Sequence, residues 1–132
     1  AGTYYLVQID AGSADNRHAL YHNAGNPAGY TSTAGATQAN PTSASDVVAN
    51  TTTRLAYGWS ATANVYAAES SIVFAVTGQS LINDTSNITP ANLTTLRVGS
   101  YIAGAAPLNG WLRKLRFYPR RLTDNDLRAL VA

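Results

Sequence analysis

The stretch TYYLVQIDAGSADNRHALYHN, residues 3–23, reads as strand, turn and strand, and the rest of the chain follows the same grammar. Thr3–Asp10 alternates, with Tyr5, Val7 and Ile9 on one face and Tyr4, Leu6 and Gln8 on the other, the two-residue period of a β-strand. The turn residues AGSADN follow, and Arg17–Asn23 resumes as a second strand. Moving outward, the turn cluster NAGNPAG leads to a short strand at Tyr30–Thr33. Residues 34–52 carry little pattern and read as a long loop with one short strand near Val47–Val48. Thr53–Ser60 turns Leu55, Tyr57 and Trp59 inward, and strands at Asn64–Ala68 and Ser71–Thr77 follow. Gly78-Gln79 reads as a tight hairpin into Ser80–Asn83. Thr94–Ser100 and Trp111–Tyr118 complete the strands; in the latter Leu115 and Phe117 face inward, with Lys114 and Arg116 outward. At the end, Thr123 caps a helix, Asp126 is its capping-box partner, and Leu122, Leu127 and Leu130 give it an apolar side. Many short strands separated by turn signals imply an antiparallel sandwich or barrel.

Composition agrees with one small domain. The chain has 132 residues, 45% apolar and only 12% charged, about half the usual charged share. That balance argues against disorder, which combines few apolar residues with much charge. No apolar run is long enough for a membrane span: Val98–Leu112 is broken by Gly99, Gly104, Pro107 and Gly110. Without cysteine there is no disulfide framework, thiolate zinc site or cysteine nucleophile. Methionine is also absent, and the expectation is a processed chain or part of a longer polypeptide. Ala1–Asp10 has neither the basic start nor the apolar run of a signal peptide. Residues 111–132 hold six cations against two aspartates, a balance of +4, whereas residues 1–110 hold three cations against five acids, a balance of −2. Such a basic strip can meet an anionic polymer. No aromatic ladder for base stacking accompanies it, so a solvated edge is expected and no nucleic-acid partner.

The C-terminal third carries a resemblance. Leu96–Gly99 (LRVG), Leu108–Gly110 (LNG), Tyr118–Leu122 (YPRRL) and a closing helix at Thr123–Val131 resemble the end of the concanavalin A-like, laminin-G-like jelly rolls in tail and fibre proteins of bacteriophages and related particles. LVQIDAGSADNRHALYHN resembles the opening of the same family. The resemblance implies an all-β, antiparallel two-sheet jelly-roll sandwich with a short C-terminal helix, one domain over residues 1–132. It also implies a further N-terminal strand, supplied upstream or by a neighbouring subunit. Within that frame Asn109-Gly110 suits a tight turn, Pro119 ends the last strand, Arg120 and Arg121 lie at the rim, and Leu122 docks the helix.

The function follows from what the residues permit. The concanavalin A-like fold also hosts glycoside hydrolases, which need two carboxylates across the scissile bond. This chain has one glutamate, Glu69, and no enzyme is expected. His18 and His22, four apart, would share a strand face about 13 Å from each other, too far to chelate zinc. Asp10, Asp15, Asn16, Asn83 and Asp84 offer oxygens for calcium but come singly from loops, so no metal or other cofactor is expected. Sequons at Asn50, Asn83, Asn87 and Asn92 would carry glycans only in a secreted eukaryotic protein, where the chain would read as a secreted lectin domain. Sugar sites in β-sandwiches stack an aromatic face on a pyranose and ring it with polar groups. Trp111, Tyr101, Tyr21 and Tyr30, with Asn109, are the candidates; Trp59, inside an alternating strand, reads as core. The combined expectation is a non-enzymatic module on a virion surface (tail fibre, spike or decoration), homo-oligomeric, contacting other virion proteins and binding host-surface polysaccharide. The alternative is a purely structural decoration or collar component that binds no sugar.

Overall fold

A computed structural model of the chain describes residues 2–60, 72–86 and 89–132. The expected strand at Asn64–Ala68 lies outside the described residues. Two antiparallel sheets and one short helix result, a β-sandwich-like arrangement. The first sheet has the order β4-β3-β2-β1-β8, from β1 (Tyr4–Asp10), β2 (Arg17–Asn23), β3 (Asn26–Thr33), β4 (Ala36–Ala39) and β8 (Thr95–Val98). The second has the order β5-β6-β7, from β5 (Leu55–Gly58), β6 (Ile72–Val76) and β7 (Ile82–Asp84).

β6 reads IVFAV and is buried at all five positions, because both of its faces are covered. On one, Ala56 of β5 and Val73 and Ala75 of β6 pack against Leu127 and Val131 of the C-terminal helix α1 (Asp124–Val131). Gly58 lets the helix approach: a Cβ there would stand 3.1 Å from Leu127 Cδ1. On the other face the sheets meet, with Gly29 of β3 lying so close to the Tyr57 ring that a Cβ would come within 2.5 Å of it. The Tyr57 hydroxyl bonds Thr31 Oγ1 of β3 at 2.5 Å. Trp59 stacks on His18 of β2 at 4.2 Å, so both rings stand where the sheets face each other. Fully burying a side chain such as Ile72 or Phe74 is worth about 1.5–3 kcal/mol.

Several expectations change. β1 does not alternate without interruption. Its register shifts between Tyr5 and Val7, so Tyr5 joins the face of Gln8 and Asp10 while Val7 and Ile9 take the other. Residues 34–52 hold a strand at Ala36–Ala39 that pairs with β3, whereas Val47 and Val48 are exposed. Backbone pairing at a sheet edge needs no apolar alternation, which is why ATQA gave no signal.

The largest difference is at Trp111–Tyr118, which is not a strand. No ladder pairs it with either sheet, and residues 111–120 are all exposed. Alternation describes side chains, but a strand also needs an open edge to pair with. Four cations in these ten residues, Arg113, Lys114, Arg116 and Arg120, favour solvation over sheet packing. Pro119 therefore ends no strand, and neither Asn109 nor Gly110 has the positive φ of the expected turn. Arg121 is not at the rim either: it is 8% exposed, and bonds the Leu122 carbonyl and Asp124.

Candidate functional site

The register of the five-stranded sheet sorts its side chains into two faces. Across β1, β2 and β3 the pairs Tyr5–Tyr21, Gln8–Ala19, Asp10–Arg17, Ala19–Tyr30, Tyr21–Ala28 and Arg17–Ser32 share the face turned away from the second sheet. Arg97 joins them from β8, opposite Gln8. The loop after β8 folds over this face, held by Gly99 N–H to the Leu6 carbonyl at 2.8 Å and Tyr5 N–H to the Ala106 carbonyl at 3.1 Å. That loop brings Tyr101 onto Tyr5, ring centroids 4.7 Å apart.

The result is a tyrosine cluster around one arginine. Tyr5 stacks on Tyr21 at 5.3 Å, and Tyr21 meets Tyr30 edge-on at 6.0 Å. The Arg17 guanidinium lies 4.6 Å from the Tyr30 centroid, 4.8 Å from that of Tyr101 and 5.8 Å from that of Tyr5. The hydroxyls are anchored at the edge: Tyr21 donates to Asn40 Oδ1, and Tyr30 bonds Thr37 Oγ1, both at 2.8 Å. Burial pushes the phenols of Tyr5 and Tyr21 up, so both stay neutral and keep their protons for hydrogen bonding.

Arg17 is the unusual member. It is 8% exposed, and its Nε and Nη1 have no hydrogen-bond partner. Asp10 stands directly across from it, yet that carboxylate is already occupied. Arg97 Nε reaches Asp10 Oδ2 at 2.8 Å, Gln8 Nε2 reaches the same oxygen at 2.7 Å, and Gly12 N–H reaches Oδ1 at 2.7 Å. Burial alone would raise the Asp10 pKa, but the bonds from Arg97, Gln8 and Gly12 outweigh it and hold the carboxyl below its ordinary value. The face thus carries two guanidiniums and one carboxylate. Taking a cation out of water costs several kcal/mol, while a cation–π contact returns about 0.5–2 kcal/mol. The aromatic rings offset only part of what a carboxylate would offset for Arg17.

The candidate residues from the sequence divide here. Tyr21, Tyr30 and Tyr101 come together on one face. Trp111 stands apart at 97% exposed, and Asn109 is exposed on the same unpaired segment. Arg17 and Tyr5 escaped sequence reading. Arg17 alternates with Ala19 and Tyr21 in RHALYHN, which was signal enough to place it on a tyrosine face; Tyr5 was hidden by the bulge. The histidines lie on the opposite face. His18 Nδ1 bonds Thr31 Oγ1 at 2.8 Å, and burial drives its pKa down to about 3, so it is neutral. His22 Nε2 pairs with Asp46 at 2.7 Å. Among the described residues no three metal-ligating side chains converge, and no helix is long and apolar enough to cross a membrane.

No family model, curated protein or solved structure matches the chain.

Proposed function

We propose that the chain is a non-enzymatic jelly-roll module of a phage or phage-like particle surface that binds carbohydrate through the outer face of its five-stranded sheet. The observation that carries this reading is the gathering of Tyr5, Tyr30 and Tyr101 around Arg17 on one face, with Tyr21 packed on Tyr5 and Tyr30. Tyr30 and Tyr101, half-buried over the buried Tyr5 and Tyr21, present ring surface for the apolar side of a pyranose, and polar groups at the edge orient it. Weak stacking of this kind becomes useful when many copies act together. The test is a glycan and host-polysaccharide screen with the domain displayed as a multimer. Tyr101→Ala is expected to lower binding about tenfold or more, while Trp111→Ala leaves it unchanged. Binding lost in Trp111→Ala and kept in Tyr101→Ala would move the site to the unpaired segment. A folded multimer that binds nothing would sink the carbohydrate reading.

A second reading is favoured by the unpaired segment itself. Trp111, Leu115 and Phe117 are exposed there, and Leu96 and Val98 are exposed on the edge strand β8. Apolar side chains and an open sheet edge suit contact with other copies or other virion proteins. In that case the module is a structural decoration or collar component, and sugar binding is absent.

A further inference from the structure

We infer that the saccharide taken by the tyrosine face is acidic, with its carboxylate on Arg17. This rests on the carbohydrate reading and narrows it. Two observations carry it. Arg17 is 8% exposed with Nε and Nη1 unpartnered, and the carboxylate directly across from it, Asp10, already accepts from Arg97, Gln8 and Gly12. The hydroxyls of Tyr30 and Tyr101 give this buried guanidinium only weak acceptors, and its Nε and Nη1 have none; an anion complements it, because charge-assisted hydrogen bonds are the strong ones. The cation also sits among rings that suit a sugar. Its guanidinium lies over Tyr30 and Tyr101, both half-buried, so an anion that reaches it brings its own sugar ring against those tyrosines. Of the rings over Arg17, only that of Tyr101 stands on a loop and not on a strand. That loop includes Ala103 and Ala106 at positive φ. Uronate-type sugars unite a carboxylate and a stackable ring in one unit, which is the chemistry the cluster fits.

The exposed cations Arg113, Lys114 and Arg116 would attract any polyanion, so the experiment separates the two sources of charge. Multimeric protein is tested against a panel of uronate-bearing polysaccharides, each beside its carboxyl-reduced form. Binding is expected to be at least about tenfold tighter to the acidic member of a pair. It should survive in the triple variant Arg113→Gln/Lys114→Gln/Arg116→Gln and fall about tenfold in Arg17→Gln. Should Arg17→Gln fail to fold by circular dichroism, Tyr101→Ala and the carboxyl-reduced partners still decide the matter. Equal binding to acidic and reduced members overturns the acidic ligand and leaves the carbohydrate reading standing. Binding lost in the triple variant but kept in Arg17→Gln assigns the anion to the segment and also overturns it. Silence across the panel overturns both readings.

Discussion

His18 shows how a single residue ties sequence, packing and solution behaviour together. On β2 its ring is pressed between Thr31 and Trp59 and is 2% exposed, so charging it would place a cation in a nearly dry layer between the sheets. Burial holds its pKa at about 3, against 6.5 for an ordinary histidine. The sign of the linkage follows. The unfolded chain takes up this proton below pH 6.5 and the folded chain does not, so the associated stability is complete above 6.5 and lost as pH falls toward 3. Between about pH 6 and 4 the loss should approach about 1.4 kcal/mol per pH unit from this group alone. Urea denaturation across that range measures it. The variant His18→Phe keeps an aromatic ring against Trp59 and has nothing to titrate, so its curve should be flatter by that amount. An unchanged slope in the variant would assign the pH dependence to another group.

Among the elements, what was legible in the sequence depended on whether side chains or backbone made the decision. The helix was legible because its signals are local. Thr123 accepts from Asp126 N–H while Asp126 Oδ2 accepts from Thr123 N–H, the capping box that TDND implies. Leu127 and Val131 then fall on the side that meets β5 and β6. β6 was legible as a continuous apolar run. By contrast β4 pairs through backbone with small polar side chains, the β1 bulge has no residue signature, and Trp111–Tyr118 has the alternation of a strand without an edge to join. The tyrosine face was half legible: three of its rings were nominated as site residues, but their convergence depended on the bulge and on the loop after β8. The helix gives a direct check on this account. Leu127→Ala should cost about 2–5 kcal/mol, because it empties the contact between α1 and the sheet. Thr123→Ala should cost about 1 kcal/mol through the cap. Denaturation midpoints measure both. A Leu127→Ala cost within about 0.5 kcal/mol, the range of an exposed site, would mean that α1 does not hold the second sheet.

At the scale of the whole molecule, the two sheets do not cover each other completely. Leu96 and Val98 stand beside Ile9 and Val7 on the face turned toward the second sheet, yet they are 60% and 51% exposed. Further along the chain, beyond the loop that carries Tyr101, Trp111 and Phe117 are exposed at 97% and 67%. A solvated, cation-bearing segment and an uncovered apolar flank therefore lie on one molecule, and contact with other copies would bury their apolar side chains. Repulsion among Arg113, Lys114, Arg116 and Arg120 opposes close approach of identical segments at low salt, whereas burial of the apolar side chains is nearly independent of salt. Self-association should accordingly strengthen as ionic strength rises. Sedimentation velocity over a range of protein and salt concentrations reads this. Replacing Leu96 and Phe117 together by serine removes apolar burial of about 1.5–3 kcal/mol per side chain, enough to weaken association by more than about tenfold. Leu96 lies on the sheet face opposite the tyrosines, so the pair of replacements should leave polysaccharide binding per molecule intact. A protein that stays monomeric at every salt and concentration would remove self-assembly through this flank, and association unchanged in the double variant would place the contact elsewhere.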